Sequence, residues 1–175
     1  MMGVPEFMLN RYYYKKLNPR IKKLMKSFGI KLIRPNLSIM RRYSYELGGY
    51  AHPEVKQVFI WDGYFNNRQN KSLTLIAIHE IAHVLLKHHE FEDLSENSFD
   101  FYFAESEAEL VTINVLDRLN KRNRYAKKIN YLLNTLSRYE TECYDKFGKI
   151  PDVRVAEIDK VIKLVYAKCL KLGIK

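Results

Sequence analysis

The sequence predicts an α+β domain in which one N-terminal helix and a small antiparallel sheet precede a run of four helices. Three observations predict it. Apolar residues recur at helical spacing near residue 20, and again from residue 72 to the end of the 175-residue chain. Between them, residues 37–61 change period and become rich in β-branched and aromatic side chains. Strand and helix signals are therefore segregated along the chain, which is the α+β order and not the alternating one.

The elements follow in order. Asn18-Pro19 places a capping residue before a proline in the first helical turn. Ile21, Leu24, Met25 and Phe28 then recur at helical spacing, and Gly29 stops the helix. The segments LSIMRRYSYEL and VKQVFIW flank Gly48-Gly49 and His52-Pro53-Glu54, which predicts two or three antiparallel strands with a turn near Pro53. SLTLIAIHEIAHVLLKHH is a long helix, apolar nearly all round and so buried. A polar connection, EFEDLSENS, leads to a helix over FAESEAELVTINVLDRLN with Leu110, Ile113 and Leu116 inward. A further helix runs from about Tyr125 to Gly148, and the last from Asp152 to Leu172, closed by Gly173. The length suits a single domain over 1–175, with its core at about 30–120 and a helical extension over 121–175.

Composition narrows the class. Apolar residues are 47% and charged residues 29%, as in a globular protein. Cys143 and Cys169 lack CxxC spacing, which suits a reduced, intracellular protein. No apolar run approaches the roughly 18 residues that span a bilayer, and the N-terminus has no apolar signal core. A cytoplasmic location without membrane attachment is expected. The net charge is +10, and it is concentrated: Phe7 to Tyr45 holds eleven Lys and Arg and no acid. Such a block suits either a solvated basic face or an anionic partner, such as nucleic acid, an acidic protein or a membrane surface, and weak binding of DNA through residues 7–45 is expected.

The chemistry lies in IAIHEIAHVLLKHHE, which holds four of the five histidines. His79 and His83 are four apart, so on a helix their imidazoles project from one face and can reach one Zn²⁺. Glu80 then stands where a carboxylate can act as general base, the H-E-x-x-H arrangement of metalloproteases. An unpaired His-Glu-His cluster in the centre of the most apolar helix would be costly to bury, which favours a ligand over chance.

Two histidines do not hold zinc, and the third ligand has two candidates. His89 stands six residues after His83, as in H-E-x-x-H-x-x-G-x-x-H, but Leu86 occupies the glycine position. On a continuing helix His89 points about 240° away, so His88 and His89 are expected to be solvated at the helix end. The favoured candidate is in FAESEAELV. Glu105 and Glu109 share one helix face, with Glu107 on the other side. Glu105 is expected to reach the metal and Glu109 to hold a ligand imidazole.

The order VFIWDG, SLTLIAIHEIAHVLLKHH, FAESEAELV resembles the ImmA/IrrE-type zinc metallopeptidases over roughly Ser38 to Leu119. Ala82 matches the small residue of the active motif, whereas Glu109 stands where Asn or Asp is commoner. The resemblance implies a zincin-like fold of gluzincin type. It implies His79, His83 and Glu105 as Zn²⁺ ligands, Glu80 as catalytic base, and a protein substrate such as a DNA-bound repressor. EAE is also similar to the metallopeptidase-like half of ArdC-type antirestriction proteins. That implies the alternative of a nucleic-acid-associated module whose zinc is structural or vestigial. A tyrosine or histidine is expected to stabilise the oxyanion, and thirteen tyrosines do not single one out.

Overall fold

The computed structural model describes residues 19–33, 49–52, 57–60, 73–92, 94, 95, 98–120 and 123–174. Helix α1 spans Pro19–Ser27 and buries Ile21, Leu24 and Met25. Gly29, with φ of +71°, ends it in a conformation that residues with a Cβ rarely adopt. Strand β1 is Lys31–Ile33, β2 is Gly49–His52 and β3 is Gln57–Ile60. Four more helices follow: α2 Leu73–Leu85, α3 Phe99–Leu119, α4 Ala126–Phe147 and α5 Val155–Lys171.

The expected α+β class with a small antiparallel sheet needs correction. Five α-helices carry most of the described residues, and strand is reduced to three pieces of three or four residues. Nor is that pairing antiparallel throughout. The strand order is β1-β3-β2, with β2 antiparallel and β1 parallel to β3. The physical reason is the length of β1. Three residues straight after a helix carry no period of two, so nothing in the sequence marks them as a strand. Their pairing with β3 also needs a crossover, which a hairpin pattern does not suggest. The strand expected over 37–47 and the turn at Pro53 lie outside the described residues.

The helices surround α3, which packs on α2, α4 and α5. Its own start is held by Ser98, whose Oγ accepts from the Phe101 amide at 2.9 Å. One apolar core joins Leu24 and Met25 of α1, Ile78 and Ile81 of α2, Val111 and Val115 of α3, Leu132 of α4, and Ile162 and Val165 of α5. His79 and His83 of α2 face Glu105 and Glu109 of α3. Among the described residues no helix is long and apolar enough to cross a membrane.

Candidate metal centre

α2 presents His79 and His83 one turn apart, and α3 brings Glu105 to them. The His79 and His83 Nε2 atoms are 3.1 Å apart. Glu105 Oε2 lies 3.4 Å from His79 Nε2, and Glu105 Oε1 lies 3.3 Å from His83 Nε2. Among the described residues these three form the cluster that could hold a metal ion. Their side chains are 16%, 12% and 20% exposed, so the cluster opens to solvent on one side. Glu80, next to His79 in sequence, is buried.

Glu109 is one turn beyond Glu105 on α3. Its Oε2 sits 3.9 Å from His79 Nδ1, behind the imidazole and away from the cluster. That oxygen is buried without a hydrogen-bond partner. At that distance Glu109 faces the ring nitrogen without a hydrogen bond to it.

Electrostatics bind the two helices. Burial alone would lower His79, but the hydrogen bond to Glu105 and the charges of Glu109, Glu105 and Glu80 raise it to about 10. Burial keeps His83 below its ordinary value despite Glu105. Burial would raise Glu105, yet His83 and the hydrogen bonds from both imidazoles hold it well below the carboxylate range. Glu109 is pushed up to about 7 by burial, which the charge of His79 only partly offsets. Among the described tyrosines, Tyr139 of α4 is raised by burial and by the charges of Glu105 and Glu109, which places its phenol within their field.

Two expectations about neighbouring residues need correction. His88 is not solvated; it is 1% exposed. Its Nδ1 lies 2.6 Å from His83 Nδ1, and its Nε2 lies 3.0 Å from Glu107 Oε2. The turn that brings it back is made by Lys87, with φ of +56° and no glycine. His89, the other solvated candidate, is partly buried and is not in the cluster. Glu107 does lie off the Glu105–Glu109 face, as expected, but it is wholly buried. It accepts from the Arg154 backbone N–H at 2.7 Å, from Arg154 Nε at 3.0 Å and from Arg154 Nη2 at 2.6 Å. Burial would raise Glu107, but the bonds from His88 and Arg154 hold it down at about 2. Sequence reasoning missed His88, Glu107 and Arg154 as members of the site. Two adjacent histidines just past a helix end were the only hint.

No family model matches the chain, and neither a curated protein nor a solved structure matches it.

Proposed function

We propose that the protein is a zinc-dependent endopeptidase of gluzincin type, resembling the ImmA/IrrE metallopeptidases. The observation that carries the reading is the triangle of donor atoms. Zn²⁺ bound at roughly 2.0–2.1 Å in a tetrahedron requires its ligand atoms to be about 3.3 Å apart. The His79 and His83 Nε2 atoms are 3.1 Å apart, and the Glu105 carboxylate spans both, Oε2 at 3.4 Å from His79 Nε2 and Oε1 at 3.3 Å from His83 Nε2. Two imidazoles and one carboxylate suit zinc, and the exposed side of the cluster leaves room for a fourth position. The unpartnered Glu109 Oε2 behind His79 adds an outer acceptor of the kind that fixes a ligating imidazole.

When bound, zinc supplies Lewis acidity that polarises a peptide carbonyl and makes water acidic near neutral pH. The protein's own residues do the rest. Glu80 takes the proton of the attacking water and returns it to the leaving amine. Glu109 orients the His79 imidazole from α3. β2 lies at the edge of the described sheet and packs on α2, so an extended peptide added to that edge runs past the H-E-x-x-H helix. The substrate is a protein, and the resemblance favours a DNA-bound repressor.

A second reading, an antirestriction-like module with vestigial zinc, draws on the basic stretch. α1 turns Ile21, Leu24 and Met25 inward and leaves Arg20, Lys23 and Lys26 exposed. The acid beside the first ligand favours the enzyme, because a structural zinc needs ligands and no base.

Glu80→Gln tests the reading. The variant should keep stoichiometric zinc and lose cleavage by at least 10²–10⁴-fold, roughly what general-base catalysis contributes. New protein N-termini, compared between cells expressing the wild type and the variant, identify the substrate. Equal cleavage by both rules out Glu80 as the base.

A further inference from the structure

The proposed metal ligand His83 is met from behind by His88, and the hydrogen bonds continue through Glu107 of α3 to Arg154, just before α5. We infer that His88, Glu107 and Arg154 form a positioning relay for His83, so that the C-terminal arm completes the metal site. The inference rests on the metal-binding reading of His79, His83 and Glu105.

The hydrogen-bond directions leave one consistent assignment. Glu107, an ionised carboxylate with Arg154 on both oxygens, accepts only. His88 Nε2, at 3.0 Å, therefore donates to it. A ligating His83 presents the bare Nε2 to the metal and carries its proton on Nδ1. That proton is donated to His88 Nδ1, 2.6 Å away. His88 thus accepts on one nitrogen and donates on the other, and fixes both the tautomer and the ring plane of His83.

Arg154 locks the far end. Besides its bonds to Glu107, its Nη2 donates to the Leu86 carbonyl at 3.0 Å, at the turn after α2. Its guanidinium lies 5.2 Å from the Phe91 ring centroid and 5.8 Å from that of Phe103. Phe91 also stacks on His88 at 5.3 Å. One arginine, just before α5, thereby ties together the carboxylate from α3, the end of α2 and the aromatic wall beside His88. Lys87 adopts a left-handed backbone here without glycine, an uncommon and strained state that persists where surroundings enforce it. The relay is what enforces it: without that turn His88 could not face His83.

The test compares two replacements of His88 in the full chain. His88→Gln keeps an acceptor and a donor at similar spacing; His88→Phe keeps ring volume and packing against Phe91 but has neither. Zn²⁺ and Co²⁺ dissociation constants are measured by competition with a chromophoric chelator, and the Co²⁺ visible spectrum reports ligand geometry. The relay predicts near-native affinity and spectrum for Gln, and a loss of about 10–100-fold with an altered spectrum for Phe. A space-filling role predicts the reverse order, with Phe native-like and Gln impaired, and overturns the inference. Arg154→Lys keeps the charge but loses the fork. It should weaken metal binding in the same direction and provides the answer if His88→Phe does not fold. Native affinity in both Phe and Lys variants overturns the relay alone. A wild type that takes up neither metal removes the metal-binding reading, and the relay with it.

Discussion

Glu105 and Glu109 sit one turn apart on the same face of α3, yet only Glu105 lies within 3.4 Å of both imidazole Nε2 atoms. Glu109 addresses the opposite nitrogen of His79. Two chemically identical side chains thus take different roles by a displacement of one helical turn. Glu105→Ala should lose most metal affinity, since it leaves two ligands where three are needed. Glu109→Ala should weaken it only by the roughly 10–100-fold typical of outer partners. His89→Ala should bind metal as the wild type does. Equilibrium dialysis against Zn²⁺ separates the three; tight binding by Glu105→Ala would show that another residue is the third ligand.

At the level of elements, what the sequence could reveal follows from how many residues share one signal. Helices of 13 to 22 residues repeat their apolar stripe over several turns, and α2 to α5 overlap the segments whose periods mark them, with some ends displaced by about a turn. The spacing of His79, His83 and Glu105 was legible for the same reason: each pair or residue rides on a helix face. β1 was not, being too short to show a period, and the helical dominance of the fold was underestimated because strand is reduced to short pieces beside long helices. The Glu107–Arg154 bond joins residues 47 apart, and no local pattern announces such a contact. With Leu86 at the glycine position the sequence does not signal a turn after α2, yet Lys87 makes one in a left-handed backbone conformation. α1 offers a test of the charge that the sequence made prominent. Its apolar face is buried and Lys23 and Lys26 are exposed, so these two lysines can change with little effect on packing. Duplex DNA should bind with micromolar or weaker affinity that falls steeply with salt, as counterion release requires. Reversal of both lysines to Glu should weaken binding strongly, while peptide cleavage is unchanged. Absence of binding by the wild type at low salt would leave this face as a solvated one.

In the whole molecule, the core and the His79–His83–Glu105 cluster both tie α3 to its neighbours, and both are expected to respond to solution conditions. Cys169 of α5 is fully buried, and burial pushes its thiol up from 9.0 to about 12. A raised folded pKa means that its stabilising contribution is complete below the unfolded value and is lost as pH rises from 9 toward 12. Each pH unit in that window should cost up to about 1.4 kcal/mol from this one proton. Cys169→Ala should flatten the alkaline slope by that share in denaturant titrations, and an unchanged slope would show that the thiol does not contribute. The metal acts through the same linkage. Its proposed ligands come from α2 and α3, and the relay adds the segment before α5, so a bound ion fastens three parts of the fold at once. An ion that binds only the folded state stabilises it by RT ln(1 + [L]/Kd), about 4 kcal/mol at a thousandfold excess over Kd. For a chain of this size 1 kcal/mol moves the melting temperature by about 2–4 °C. Removing zinc with a chelator should therefore lower the melting temperature by roughly 8–16 °C, and re-adding Zn²⁺ should restore it. Glu80→Gln should follow the wild type in both states, because it removes a base and no ligand. Glu105→Ala should melt at one temperature whether or not the chelator is present. If chelation moves neither the wild type nor Glu80→Gln, no ion fastens α2 to α3, and their facing side chains are held by hydrogen bonds and charge alone.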